Sequence, residues 1–194
     1  MMQLLNKAQI TEVYETHIRD AFPPDELKPL DHILRMYNDG VYEVWADSAD
    51  ALTVYACVYT GTTPVLLDYF AVVRGMRGKG VGSGFIRRVA DLYPSMMLEV
   101  ERPEEAENGA AHAVRMRRIA FYERAGFAMT STRATIFGVP EYNFGVAWQS
   151  WTTFRRRAGI VCVTPMKQYT GALCPMQHVI IKMSLLHRKM RREP

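Results

Sequence analysis

A glycine-rich run between Arg74 and Gly84, RGMRGKGVGSG, contains the residues of this sequence best suited to chemistry. Its four last glycines stand at alternate positions, and the basic residues Arg77 and Lys79 flank them. An apolar stretch typical of a strand precedes the run, and an amphipathic pattern typical of a helix follows it. Because bare backbone N–H groups at a helix N-terminus bind anions, the run predicts a phosphate or pyrophosphate site.

Two common glycine motifs do not fit this run. The dinucleotide-binding motif G-x-G-x-x-G needs a glycine where Ser83 or Phe85 stands, depending on the frame. The nucleoside-triphosphate loop needs Ser or Thr after its Gly-Lys pair, but Gly80 follows Lys79. A glycine-rich turn without a ligand is the remaining alternative, and the order of strand, basic loop and helix favours the anion site.

Two segments together carry a family resemblance. Residues 77–82, RGKGVG, fit the pattern Q/R-x-x-G-x-G/A, and residues 117–127, RRIAFYERAGF, are close to A-x-x-(F/L)-Y-E-(K/R)-x-G-F. Both patterns are typical of the GNAT superfamily of acetyl-CoA-dependent N-acetyltransferases, in this order and at about this separation. The chain resembles that superfamily over roughly residues 5 to 140. The resemblance implies an α/β fold with a mixed central β-sheet and helices on both faces.

The resemblance also implies how acetyl-CoA, the predicted cosubstrate, would bind. The end of the strand before the glycine-rich run would contact acetyl and pantetheine, and a bulge there would separate that strand from its neighbour. Backbone N–H groups of the run would contact the pyrophosphate. Arg115 replaces a cofactor-binding asparagine common in the family, and it is predicted to reach a cofactor phosphate or to face solvent. The predicted cofactor-binding residues are Phe70, Ala71, Val72, Arg77, Gly78, Lys79, Gly80, Val81, Gly82, Ser83, Arg115 and Phe121.

Acetyl transfer from a thioester to an amine needs a base for the amine, polarisation of the carbonyl and an acid for the leaving thiolate. By its place in the second motif, Tyr122 is the candidate acid; a core tyrosine beside Phe121 is the alternative. Phenols have a pKa of about 10 and thiols of about 8.5, so proton transfer and thiolate departure are expected to be concerted.

Two carboxylates are candidates for the base. Glu99 lies in an L-E-V segment similar to one that carries a catalytic glutamate in the ribosomal-protein N-terminal acetyltransferases of the superfamily, although residues 102–110 form an acidic insertion by comparison. Asp68 interrupts an otherwise apolar strand, where desolvation would favour its protonated form. A hydrogen-bonded or salt-bridged structural carboxylate is the alternative for both, and a water chain can link either to the amine.

Composition indicates one globular domain over residues 1–194, with the core motifs in 5–140 and variable C-terminal strands and a helix in 141–194. The chain is 48% hydrophobic and 23% charged. It has no apolar run of about 18 residues and no signal-peptide pattern, so a cytoplasmic protein without a membrane segment is expected. The three cysteines are odd in number and the five histidines lack ligand spacing, so neither a disulfide framework nor a metal site is predicted.

Charge is uneven along the chain. The first 100 residues carry 9 Lys or Arg against 13 Asp or Glu, and the rest carry 15 against 7. A solvated cationic face is preferred to a nucleic-acid site, because no aromatic residues interleave with the basic runs. A methionine-rich helix predicted after Pro175 is interpreted as core or as a homodimer contact.

The leading hypothesis is therefore an N-acetyltransferase that acetylates a primary amine by direct attack. Small amines, aminoglycosides, a protein N-terminus and a lysine side chain all remain possible acceptors. The alternative function is a non-catalytic acyl-CoA-binding or regulatory module with a basic C-terminal face, and a larger acyl donor is a third option. The predicted helices cover 8–20, 31–37, 82–92 and 111–124, and the predicted strands cover 41–46, 52–59, 65–73, 95–100, 130–137 and 142–148.

Overall fold

The computed structural model describes residues 1–24, 26–48, 51–136 and 139–148. The helices are α1 (Lys7–Val13), α2 (Arg19–Ala21), α3 (Leu30–Asn38), α4 (Val81–Ala90) and α5 (Gly109–Arg124). The strands are β1 (Met2–Leu4), β2 (Tyr42–Ser48), β3 (Leu52–Tyr59), β4 (Val65–Val72), β5 (Ser95–Glu101), β6 (Phe127–Ile136) and β7 (Val139–Trp148). Every element predicted within these residues is present.

The strands described form one mixed sheet in the order β1-β2-β3-β4-β5-β7-β6. Only β4 and β5 are parallel, and α4 lies between them in the chain. Their pairing is short: it starts with Val65 opposite Met96 and ends with Leu67 opposite Leu98. Among the described strands, the remainder of β4 pairs only with β3, so β4 and β5 separate at about the middle of β4.

Helices cover both faces of the sheet, as predicted. On one face α1 and α3 pack on a core that includes Tyr55 and Cys57 of β3. On the other face α4 and α5 pack on a core that includes Val54 and Ala56 of the same strand. Because both faces of β3 are buried, its sequence is apolar at successive positions. Cys57 is buried in this core as a free cysteine.

The first helix begins at a capping box. The Asn6 side chain accepts from the Gln9 N–H at 3.1 Å, and the Gln9 side chain accepts from the Asn6 N–H at 2.9 Å. Thr11 does not cap this helix, since its hydroxyl donates to the Lys7 carbonyl inside the helix. A π-helical turn, Tyr14–Ile18, joins α1 to α2, so the chain is helical over 7–21.

The boundaries of α5 follow from local chemistry. Asn108 caps its start by accepting from the Ala111 N–H, and Gly126 follows its end with φ of 101°. The short strand β1 was not predicted. Residues 149–194, with the predicted terminal helix and two cysteines, lie outside the described part of the chain. Within that part, no helix combines the length and apolarity needed to cross a bilayer.

Candidate active site

A cavity of about 840 Å³ lies at the separation of β4 and β5. A β-bulge marks this point, because Cys57 pairs with Tyr69 and Val58 pairs with Leu67, which leaves Asp68 as an extra residue on β4. Bulges bend a strand and end regular pairing. The predicted bulge is therefore present, but it lies at Asp68 and not at 70–73.

Most of the predicted site residues line this one cavity. Phe70, Ala71 and Val72 continue β4 beyond the bulge with one edge paired to β3. Their other edge has no partner on β5. The predicted residues that line the cavity are Asp68, Phe70, Ala71, Val72, Arg77, Gly78, Gly80, Val81, Gly82, Ser83, Glu99, Phe121 and Tyr122.

The N-terminus of α4 opens onto the cavity. Gly80 is the N-cap residue, with φ of 76°, and no side chain caps the helix. The Gly84 N–H donates to the Gly80 carbonyl at 3.3 Å, so the helical hydrogen bonds start there. The N–H groups of Val81, Gly82 and Ser83 belong to the first turn, where backbone donors lack partners within the helix. Three such donors beside a cavity can bind an anion.

Two kinds of constraint explain the glycines of the loop. Gly78 and Gly80 have φ of 78° and 76°, a region that other residues enter at a cost of about 1 kcal/mol. Gly82 has a steric reason, since a Cβ atom there would lie 2.8 Å from Cγ2 of Val72. Gly82 therefore lets α4 approach β4 closely beside the cavity.

The basic residues of the loop have different positions. Arg77 lines the cavity, and its Nε donates to the Val72 carbonyl at 3.0 Å, which holds the side chain against the end of β4. Lys79 is exposed and is not among the residues that line the cavity. Three arginines of α5 that the sequence interpretation missed, Arg117, Arg118 and Arg124, also line it. These arginines lie three or four positions from Phe121, a spacing that places them on the same face of a helix, and this pattern could have identified them.

Arg115 makes contacts at the end of β5 that the sequence did not predict. Its Nη1 donates to the Arg102 carbonyl at 2.8 Å, and its Nη2 lies 3.5 Å from Glu101. The side chain is only 18% exposed and does not line the cavity. These contacts bind α5 to the end of β5 and keep the guanidinium largely out of solvent. Its contact with a cofactor phosphate stays a prediction.

Tyr122 is buried in an aromatic cluster at the cavity wall. Its ring centroid lies 5.1 Å from that of Phe121, 5.6 Å from that of Phe127 and 6.4 Å from that of Phe70. Burial disfavours the phenolate and raises the pKa of Tyr122 to about 12, although the Arg118 charge acts in the opposite direction. The hydroxyl is therefore protonated at neutral pH and available as a donor.

Glu99 is half-buried on β5, next to the last residue that pairs with β4. Burial raises the pKa of Glu99 to about 7, the Asp68 charge adds to this effect, and Lys28 opposes it. Among the described side chains, none forms a hydrogen bond or ion pair with this carboxyl. Its pKa lies near the pH at which a general base works best.

Asp68 is bound on both oxygens. Oδ1 lies 2.6 Å from the Lys28 Nζ, and Oδ2 accepts from the Tyr42 hydroxyl at 2.5 Å. The salt-bridged alternative is therefore the one observed for Asp68. Of the two candidate carboxylates, Glu99 is the one whose oxygens have no such partners among the side chains that the structure describes.

No family model and no curated protein matches the sequence. Solved structures do match. A protein from Bacteroides thetaiotaomicron described as an acetyltransferase of the GNAT family superimposes with a TM-score of 0.61 at 22% identity, covering 79% of this chain and 89% of its own. Spermidine N-acetyltransferase from Vibrio cholerae, solved with CoA and spermine, gives 0.55 at 13%, with coverages of 77% and 95%. Ribosomal-protein-S18-alanine N-acetyltransferase from Escherichia coli gives 0.55 at 18%, with coverages of 77% and 95%.

Proposed function

We propose that this chain, which has the GNAT fold of these structures, is an N-acetyltransferase that moves an acetyl group from acetyl-CoA to a primary amine. One observation carries the proposal. The cavity at the split between β4 and β5 is lined by the first turn of α4, by a half-buried carboxyl at Glu99 and by a phenol at Tyr122. An anion site, a base and an acid are the parts that acetyl transfer from a coenzyme A thioester requires.

The residues present fit coenzyme A. The N–H groups of Val81, Gly82 and Ser83, with Arg77 nearby, would bind the pyrophosphate. The edge of residues 70–72 that has no strand partner among the described residues would pair with the amides of the pantetheine arm, as a strand pairs with a neighbour. Arg117 and Arg124 line the same cavity and offer further positive charge for phosphate groups.

The proposed chemistry needs no covalent enzyme intermediate. Coenzyme A supplies an activated acetyl thioester. As the amine nitrogen forms its bond to the acetyl carbon and the C–S bond breaks, Glu99 accepts the amine proton and Tyr122 donates its hydroxyl proton to the sulfur. Since the pKa of Tyr122 is about 12 and that of a thiol about 8.5, proton donation accompanies C–S cleavage.

The same comparison supports the proposed acceptor class. One structural neighbour is named for spermidine and another for an alanine of a ribosomal protein, and a primary amine is common to both. The proposal for this chain is accordingly a primary amine. Cytoplasmic location and dimerisation stay predictions from the sequence.

Amine-dependent release of free coenzyme A tests the proposal. The purified protein is incubated with acetyl-CoA and a panel of monoamines, polyamines, aminoglycosides and peptides with free N-termini, and the thiol is detected as it forms. We expect release of coenzyme A that depends on at least one amine class. Mass spectrometry should confirm the acetylated product. Binding of acetyl-CoA without release for any amine would contradict transfer and favour the non-catalytic acyl-CoA-binding alternative.

A further inference from the structure

The segment between α2 and α3 is fixed to β4 near the cavity by tyrosine hydroxyls. The Tyr69 hydroxyl accepts from the Lys28 N–H and donates to the Glu26 carbonyl, both at 2.9 Å. The Tyr14 hydroxyl donates to the Lys28 carbonyl at 2.8 Å. Both backbone groups of Lys28 are thus held, one by the sheet and one by the helical segment that follows α1. The backbone at Lys28 is accordingly fixed beside β4.

The Lys28 side chain forms a shielded ion pair. Its Nζ lies 2.6 Å from Asp68 Oδ1 and 5.2 Å from the centroid of the Tyr69 ring. The Lys28 side chain is only 11% exposed and the Asp68 side chain only 7%. Charges that water screens weakly act strongly on neighbouring groups. The pair therefore influences other charges at the split between β4 and β5.

The neighbouring charge that matters is Glu99. Asp68 and Glu99 each follow the last paired residue of their strand, Leu67 and Leu98, so the two carboxyl groups share the start of the cleft. Two carboxylates in one site repel each other, and the repulsion hinders the loss of the second proton.

We propose that Lys28 is a positioning residue that limits this repulsion and so allows Glu99 to act as a base near neutral pH. The inference rests on the proposed function, in which Glu99 accepts the amine proton. Lys28 acts through its charge and through Asp68, and it does not itself exchange a proton with the acceptor.

Other charged or titratable groups also lie around Glu99. On its own strand, Glu101 is held 2.7 Å from Arg118 of α5. On β7, the residue opposite Glu99 is Phe144, and the nearest titratable residue is Tyr142, opposite Glu101. The remaining groups that line the cavity are Glu26 before α3, Arg77 before α4, and Arg117, Tyr122 and Arg124 on α5.

The two members of the pair have opposite effects on Glu99. The Asp68 charge raises the pKa of Glu99, and the Lys28 charge lowers it. Replacing Lys28 with Met should therefore raise the pKa of Glu99, and replacing Asp68 with Asn should lower it. A purely structural role of the pair would not produce shifts of opposite sign, because loss of packing acts in the same direction for both variants.

Carbon-13 NMR of protein labelled at the glutamate side-chain carboxyls measures this directly, with Glu99→Gln used to assign the Glu99 signal. We expect a titration midpoint near 7 in the native protein. It should be higher by about one pH unit in Lys28→Met, lower in Asp68→Asn, and close to native in Lys28→Arg. The acidic limb of kcat/KM should move with the midpoint in each variant.

An unchanged Glu99 midpoint in Lys28→Met, or a shift in the same direction as in Asp68→Asn, would overturn the inference. If Lys28→Met does not fold, the Asp68→Asn variant tests the inference instead. A Glu99 titration midpoint in Asp68→Asn that is not lower than in the native protein would also contradict the inference. The NMR titration needs no turnover, so it stands even if no amine is acetylated. Conversely, the variants could show the expected titration midpoints while Glu99→Gln keeps full activity. That result would support the electrostatic effect of Lys28 on Glu99, but it would exclude Glu99 as the base of the proposed mechanism.

Discussion

Asp68 and Glu99 are the first residues beyond the last pair between β4 and β5, and they differ in one respect. Asp68 has partners on both oxygens, Lys28 and Tyr42, whereas Glu99 meets no hydrogen-bonding or ion-pairing side chain in the described part of the chain. The bulge at Asp68 accounts for the separation of the strands. Asp68 is thus bound into the structure, whereas Glu99 has no such contacts among the described residues, as the proposed role of a base requires.

Replacing Glu99 with Gln should lower kcat/KM for acetyl transfer by about 100-fold or more, the usual contribution of a general base. Because burial raises the pKa of Glu99 to about 7, native activity should increase with pH up to and through 7. Glu99→Gln should lack this increase of activity with pH. Glu123→Gln, at an exposed position of α5, is the control, and it should keep both the native kcat/KM and the native increase of activity with pH. A native-like profile for Glu99→Gln would exclude Glu99 as the base.

Tyr122→Phe should reduce kcat by about 100-fold while the affinity for coenzyme A stays unchanged. Phenylalanine keeps the ring contacts with Phe121 and Phe127, so the melting temperature should change little. Tyr37→Phe on α3 serves as the matched control. Steady-state kinetics with calorimetric titration of coenzyme A separate the two effects, and an unaltered kcat would reject the acid role of Tyr122.

Gly82→Ala and Gly84→Ala make a matched pair within α4. A Cβ at Gly82 would lie 2.8 Å from Val72, whereas a Cβ at Gly84 meets nothing within 4 Å. Gly84→Ala should bind coenzyme A as the native protein does and gain up to about 1 kcal/mol from helix propensity. Gly82→Ala should lose at least about 10-fold in affinity, because Val72 must move at the cavity wall. Equal affinities for the two variants would argue against binding at this turn.

Glu99 should also make stability depend on pH. Its pKa in the folded protein is about 7 against an ordinary 4.5, so the fold disfavours the ionised form. The native protein should therefore lose stability as pH rises from about 4.5 to 7 relative to Glu99→Gln, and the difference should be constant above that range. Urea unfolding at about pH 8 should find Glu99→Gln more stable by about 1 to 3 kcal/mol. A difference that shrinks with rising pH would contradict the burial of this carboxyl.

Local signals account for the parts of the fold that were predictable. The apolar runs of β3 and β4 reflect burial on both faces, and Gly126 marks the end of α5. The capping box of Asn6 and Gln9 was a local signal too, but it was not among the predicted features. Short, exposed β1 has too few residues for a periodic pattern.

Other features depend on contacts between distant parts of the chain. Lys28 and Asp68 are 40 positions apart, and only the packing of the segment before α3 on β4 brings them together. The bulge depends on the register between β3 and β4, which no local pattern fixes. Arg115 was interpreted from its motif position, but its partners lie at the end of β5.

The most direct test of the central claim is a titration of nitrogen-15-labelled protein with coenzyme A, followed through the backbone amide signals. If the pyrophosphate binds at the start of α4, the largest shifts should occur at Val81, Gly82 and Ser83, with smaller shifts along residues 70–72. Binding that leaves the amides of Val81, Gly82 and Ser83 unshifted would contradict the account.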